Sequence, residues 1–176
     1  PGPHQIMNAG AAIAALRYLN KDEAACEAAL TRAYWPARME KLTAGPLVEL
    51  AAPAELWLDG GHNPAAGRVL AETLLGLPKR PTHLICGMLN TKDISGYLAP
   101  LAAVAQTLTA VSIPGEINTI PAEKTAQYAQ QVGMHAETAS TVQEAITAIT
   151  TNDPHARILI CGSLYLAGHV LRENGA

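Results

Sequence analysis

This sequence lacks a phosphate cradle. Neither G-x-x-x-x-G-K-[ST] nor G-x-G-x-x-G occurs, so the chain has no glycine-rich loop of its own for a nucleotide's phosphates. G-x-S-x-G is absent too, which leaves no nucleophile elbow and weakens a hydrolase reading. The three cysteines, Cys26, Cys86 and Cys161, are odd in number and form no C-x-x-C pair. That argues against a disulfide framework or a zinc site and points to a reducing cytoplasm. The six histidines show no H-x-x-x-H or H-E-x-x-H spacing, so metal binding through histidine is not expected. Charged residues make up 15% of the chain, below the usual ~25%. Net charge is −3, without a basic stripe or an acidic tail; neither a nucleic-acid partner nor a disordered arm is expected. Apolar runs fall far short of the ~20 residues that span a bilayer, and the opening Pro1-Gly2-Pro3-His4 has no signal-peptide h-region. Aromatics are 4% of the residues. Alanine supplies much of the hydrophobic count, so helices should pack closely around few large anchors.

What is present is organised around Leu56-Trp57-Leu58-Asp59-Gly60-Gly61-His62-Asn63-Pro64. It reads as a buried strand, a glycine turn and a capped helix. Asn63 can N-cap that helix and Pro64 suits its first position, where a missing N–H costs nothing. Ala66, Val69, Leu70, Thr73, Leu74 and Leu77 recur at helical spacing and give one apolar face. The helix N-terminus is a ready anion site. Asp59 and His62 would lie beyond the carboxyl end of a parallel strand, where open α/β sheets bind ligands. Two readings stand at this point: a tight βα turn in which Asp59 bonds loop amides, or a nucleotide or carboxylate site.

Along the chain, an alanine-rich helix runs to about Leu19, and a second spans about Lys21 to Ala33 with Asn20 as N-cap. Trp35 to Glu40 reads as a linker. Leu47 to Leu50 reads as a short strand, hairpin-paired and antiparallel to the strand at Glu55–Asp59. From there strands at Thr82–Gly87, Gln106–Ser112, Met134–Ala136 and Arg157–Cys161 alternate with helices, the pattern of a parallel sheet with crossovers. Asp93 and Ser163 are placed to cap helices, and Thr141 with Glu144 to form a capping box. Lys92 faces the same rim as Asp59 and can hold a carboxylate as a point charge; taken alone it is equally a surface lysine. Arg38 can fork onto a phosphate or stand in solvent. Ser163 can cap a helix and bind a carboxylate at once.

Five local patterns occur in series: His4-Gln5-x-x-Asn8-Ala9, Pro36-x-Arg38-Met39-Glu40, Asp59-Gly60-x-His62-Asn63-Pro64, Gly87-Met88…Lys92-Asp93, and Gly162-Ser163-Leu164-Tyr165. Together they resemble the C-terminal third of folylpolyglutamate synthase and dihydrofolate synthase, ATP-dependent amide ligases of the Mur ligase superfamily. Ala37 stands where that family usually has glycine. The resemblance implies an α/β, Rossmann-like, mostly parallel sheet flanked by helices over residues 35–176. Residues 1–34 would be a helical remnant of the preceding ATPase domain, with its P-loop and magnesium ligands missing. It implies ATP and Mg2+ as cofactors, and L-glutamate and folate or dihydropteroate as substrates. Asn8 would contact adenine, Arg38 phosphate, and Asp59 ribose or the linker arginine. His62 would face the reacting groups, and Lys92 and Ser163 would hold the glutamate carboxylate. The fragment alone would be inactive. Two alternatives are a stand-alone nucleotide- or amino-acid-binding module and a Mur ligase C-terminal domain acting on a peptidoglycan precursor; the Gly-Ser-Leu-Tyr ending favours folate.

Overall fold

The computed structural model describes residues 3–175. Contacts divide the chain into two compact units, one ending at Pro36 and one beginning at Ala37. The first holds helices α1 (Pro3–Tyr18) and α2 (Glu23–Arg32). Asp22, not Asn20, caps α2: its carboxylate accepts the Ala25 N–H at 2.8 Å. Asn20 instead turns the chain between the helices at φ 54°, a left-handed conformation that asparagine tolerates. Asn8 lies exposed on α1, while the side chains of His4 and Gln5 fall outside the described residues.

The second unit alternates strand and helix. It runs β1 (Glu40–Leu42), α3 (Pro46–Ala51), β2 (Glu55–Leu58), α4 (Pro64–Gly76), β3 (Thr82–Cys86) and α5 (Ile94–Leu98). It continues with β4 (Thr107–Ala110), α6 (Ala122–Gln131), β5 (His135–Thr138), α7 (Val142–Asn152), β6 (Arg157–Cys161) and α8 (Leu164–Glu173). The six strands form one sheet in the order β1-β2-β6-β3-β4-β5. Only β1 is antiparallel; every other neighbouring pair is parallel. This is the expected α/β class. The two central strands, β6 and β3, are buried along their whole length because both faces are covered, and they are apolar beyond Arg157 and Thr82-His83 at their starts. Leu159 and Cys161 of β6 pack with α4, α5 and α6. Ile158 and Ile160 point the other way, onto α3, α7 and α8.

One expected element is wrong. Residues 47–50 are helical, not a strand, and the antiparallel partner of β2 is β1, where Glu40 pairs with Leu58 and Leu42 with Leu56. Leu47 and Ala51, one helical turn apart, are both buried. Pro46 opens the helix, and Asn174 from the far end of the chain completes it. The Leu47 N–H donates to Asn174 Oδ1 at 3.0 Å, and Asn174 Nδ2 donates to the Ala44 carbonyl at 2.7 Å. Apart from Asn20, the expected caps hold. Asn63 accepts from the Ala66 N–H at 2.9 Å, Asp93 from Gly96 at 2.9 Å, and Ser163 from Tyr165 at 3.1 Å. Thr141 caps α7, and Glu144 reaches the Ser140 N–H rather than that of Thr141.

Candidate functional site

The crossover from β2 through α4 to β3 skips one position, and β6 later fills it. The loops that follow β2, β6 and β3 therefore lie side by side at the carboxyl ends of the strands. Between them is a cavity of about 80 Å3 lined by His62, Leu89, Lys92, Gly162, Ser163, Leu164 and Tyr165. Three residues singled out from sequence, His62, Lys92 and Ser163, meet there from three different loops. The leucines and Tyr165 form apolar walls that sequence reading did not assign. Gly162, at φ +103°, lets the β6 loop close over the sheet: a Cβ there would stand 2.8 Å from Cys86 Sγ and 2.8 Å from the Gly87 carbonyl. Ser163 is buried at 3% exposure, and its Oγ accepts the Tyr165 N–H, leaving the hydroxyl proton for another acceptor.

His62 Nδ1 lies 3.1 Å from the Gly60 carbonyl. A carbonyl only accepts, so Nδ1 carries the proton and Nε2 of the neutral ring is the acceptor. Asp59 sits beneath the turn at 7% exposure. Its Oδ1 accepts the Gly61 N–H at 2.6 Å and its Oδ2 the Met39 N–H at 2.8 Å. The first reading of Asp59, as a binder of loop amides, thus describes its geometry. The second amide comes from the linker, 20 residues earlier.

That linker is a fixed strap. The Gly60 N–H donates to the Ala37 carbonyl at 2.8 Å, and the Ala37 N–H to Glu40 Oε2 at 2.7 Å. Ala37 and Met39 are buried, and Arg38 stands exposed between them. Both flanking residues have left-handed backbones, φ 57° at Ala37 and 45° at Met39. Such conformations cost a residue with a Cβ about 1–2 kcal/mol, so the surrounding bonds must hold them. The backbone on either side of Arg38 is thus hydrogen-bonded into the second unit.

Beneath the loops, Cys86 and Cys161 are paired in register on β3 and β6. The Cys161 thiol and burial push the Cys86 thiol well up, so it stays protonated and unreactive. Burial, then the two thiols, push the neighbouring Tyr97 hydroxyl up as well. A larger open groove of about 400 Å3 runs along α6 and the edge strand β5, where Glu123, Gln127, Gln130 and Glu137 line it. It brings none of the sequence-predicted residues together. Among the described residues, no group of three or more His, Cys, Asp or Glu side chains is arranged to hold a metal ion. No helix of the described residues is long and apolar enough to cross a membrane.

The family model for "Dihydrofolate synthetase, C-terminal domain" matches residues 49–173. Folylpolyglutamate synthase of Lacticaseibacillus casei is 32% identical over 141 residues, covering 80% of this chain and 30% of that protein. The structure of Mycobacterium tuberculosis folylpolyglutamate synthase complexed with ADP and AMPPCP aligns with a TM-score of 0.84 at 28% identity, over 99% of this chain and 41% of that one. E. coli FolC in complex with DHPP and ADP aligns at 0.75 and 26% identity, over 94% of this chain and 38% of that one. The chain thus spans less than half the length of each of these proteins.

Proposed function

We propose a function from the premise that the chain belongs to the dihydrofolate synthetase C-terminal domain family: it is the amino-acid-presenting part of an ATP-dependent ligase that joins L-glutamate to dihydropteroate or folate. Residues 1–34 belong to the preceding ATPase domain, and the chain alone is inactive because it has no phosphate cradle. In the reaction, the substrate carboxylate attacks the terminal phosphate of ATP, giving an acyl phosphate and ADP. The amine of glutamate then attacks the acyl carbon. Phosphate leaves, one proton is released, and an amide remains.

The observation that carries this reading is the convergence of His62, Lys92 and Ser163 on one small cavity. Its volume of about 80 Å3 is far below the ~300–1,000 Å3 of pockets that enclose nucleotide-sized ligands. It suits a carboxylate-bearing end of an amino acid. Lys92 supplies charge, the Ser163 hydroxyl a hydrogen bond at a helix N-terminus, and the leucine walls exclude water. Nε2 of His62 is an acceptor suited to the attacking amine's proton. Arg38, held outward on its strap, offers a fork to phosphate outside the cavity, and Asn8 contacts adenine. Asp59 acts here by holding the strap. Magnesium, when bound, neutralises phosphate charge; the donors present do not make its site, and its ligands are expected in the domain that carries the P-loop.

Calorimetric titration of the chain with L-glutamate tests the reading. Binding that weakens at least tenfold in both Lys92→Ala and Ser163→Ala supports it. Binding of ATP with glutamate silent, or glutamate binding indifferent to both substitutions, overturns it.

A further inference from the structure

The cavity and the strap share one residue's backbone. On its carbonyl side, Gly60 accepts from His62 Nδ1 at 3.1 Å. On its amide side, the same residue donates to the Ala37 carbonyl at 2.8 Å, and Ala37 is the residue before Arg38. A second contact runs in parallel. A Cβ at Gly60 would collide with the side chain of Leu164, and Leu164 lines the cavity. The strap end of this path is strained, with Ala37 and Met39 both left-handed, so its geometry depends on the bonds that hold it. Strained, over-determined segments of this kind respond when one of their anchors moves.

We propose that Gly60 is a positioning residue: its two backbone hydrogen bonds, on successive peptide planes joined at its Cα, link His62 in the cavity to the strap that presents Arg38, so that filling the cavity and aiming the arginine are energetically coupled. This rests on the ligase reading for the identity of the two ligands, amino acid in the cavity and phosphate at Arg38. The link itself does not. An amino acid that contacts His62 or presses on Leu164 tightens the backbone at Gly60, and the strap with it. By linkage, a phosphate held at Arg38 strengthens amino-acid binding by the same factor. The device would order Arg38 for phosphoryl transfer only when the amine acceptor is in place.

Amide hydrogen exchange on this chain, read residue by residue by NMR, tests the link without any ligand. His62→Phe removes the donor to Gly60; His62→Gln keeps a donor of similar reach. Loss of one hydrogen bond is expected to raise exchange at the Gly60 and Met39 amides about fivefold in His62→Phe. His62→Gln should restore them to within about twofold, and Leu108 in β4 should not respond. Unchanged strap exchange in His62→Phe overturns the proposal, as does a rise spread evenly over the domain. In a second arm, L-glutamate and inorganic pyrophosphate are titrated each in the presence of the other. Coupling predicts the same factor both ways, reduced in Gly60→Ala. Glutamate that fails to bind at all sinks the ligase reading, while the exchange arm still decides the link.

Discussion

Replacing Asp59 with asparagine isolates what the buried carboxylate does. In the native turn, two oxygens accept two backbone N–H groups, from Gly61 at 2.6 Å and Met39 at 2.8 Å. Asparagine keeps the shape but offers one acceptor oxygen; its amide nitrogen would face the second N–H, donor against donor. Hydrogen bonds to a charged group contribute about 1.5–3 kcal/mol, and a buried donor left unpaired costs about 1–3 kcal/mol. Asp59 is 7% exposed, so water gives little relief. The expected loss is about 2–3 kcal/mol for Asp59→Asn and more for Asp59→Ala, which orphans both amides. For a chain of 176 residues the asparagine variant should lower Tm by roughly 5–10 °C. Thermal melts followed by circular dichroism measure it, and amide exchange locates it: protection should fall first at Met39 and Gly61. A fall in Tm under about 2 °C, or equal loss of protection in the far strands β4 and β5, would refute the claim that this carboxylate latches the strap.

Three further outcomes follow from the packing. Tyr97 is fully buried, and among the described residues its hydroxyl finds no hydrogen-bond partner better than the weakly accepting Cys161 thiol. Tyr97→Phe should therefore stabilise the fold by about 1 kcal/mol, and a lower Tm would show that the thiols are genuine partners. A Cβ on Gly67 would collide with the backbone carbonyl of Tyr97, where α4 packs on α5; Gly67→Ala should cost about 2–3 kcal/mol in denaturant unfolding, and a neutral result would mean the helices separate freely. At the opposite end of the sheet, the hydrogen bond from Lys41 holds the Glu55 carboxyl below its usual range, against burial and helped by Trp57 and Arg80. A depressed folded pKa gives stability that is present above the unfolded value and lost as acid protonates the group in the fold. The Tm of the native chain should thus fall more steeply than that of Glu55→Gln between about pH 5 and pH 3; parallel slopes would refute the pairing.

The parts of the fold legible in the sequence are those whose causes lie within a few residues. Asn63, Asp93 and Ser163 cap their helices by bonding amides two or three positions on, and a side chain with that reach is visible in the order of residues. The buried strands announce themselves as apolar runs because both faces are covered. Residues 46–51 were illegible for the opposite reason. Leu47-Val48-Glu49-Leu50 carries no local preference strong enough to choose helix over strand. The deciding bond comes from Asn174, 127 positions away from Leu47. The edge strand escapes a sequence reading with it, since β1 is only three residues long and begins at the last residue of the linker motif.

At the site the same rule applies with a sharper consequence. Sequence spacing located His62, Lys92 and Ser163 on three loops, and an alternating α/β pattern put those loops at one end of the sheet. It could not say that β6 would insert between β2 and β3, and that insertion alone turns three separate rim residues into one cavity. Nor could it distinguish a swinging Arg38 from a fixed one. The difference lies in Met39 N–H reaching Asp59 Oδ2 and Gly60 N–H reaching the Ala37 carbonyl, bonds between residues 20 and 23 positions apart. The left-handed backbone at Ala37 left no signal in this sequence, because alanine does not mark such a conformation. Alanine there keeps the conformation only because the strap is clamped at both ends. The strain and the latch are therefore two sides of one arrangement, and loosening Asp59 should release both.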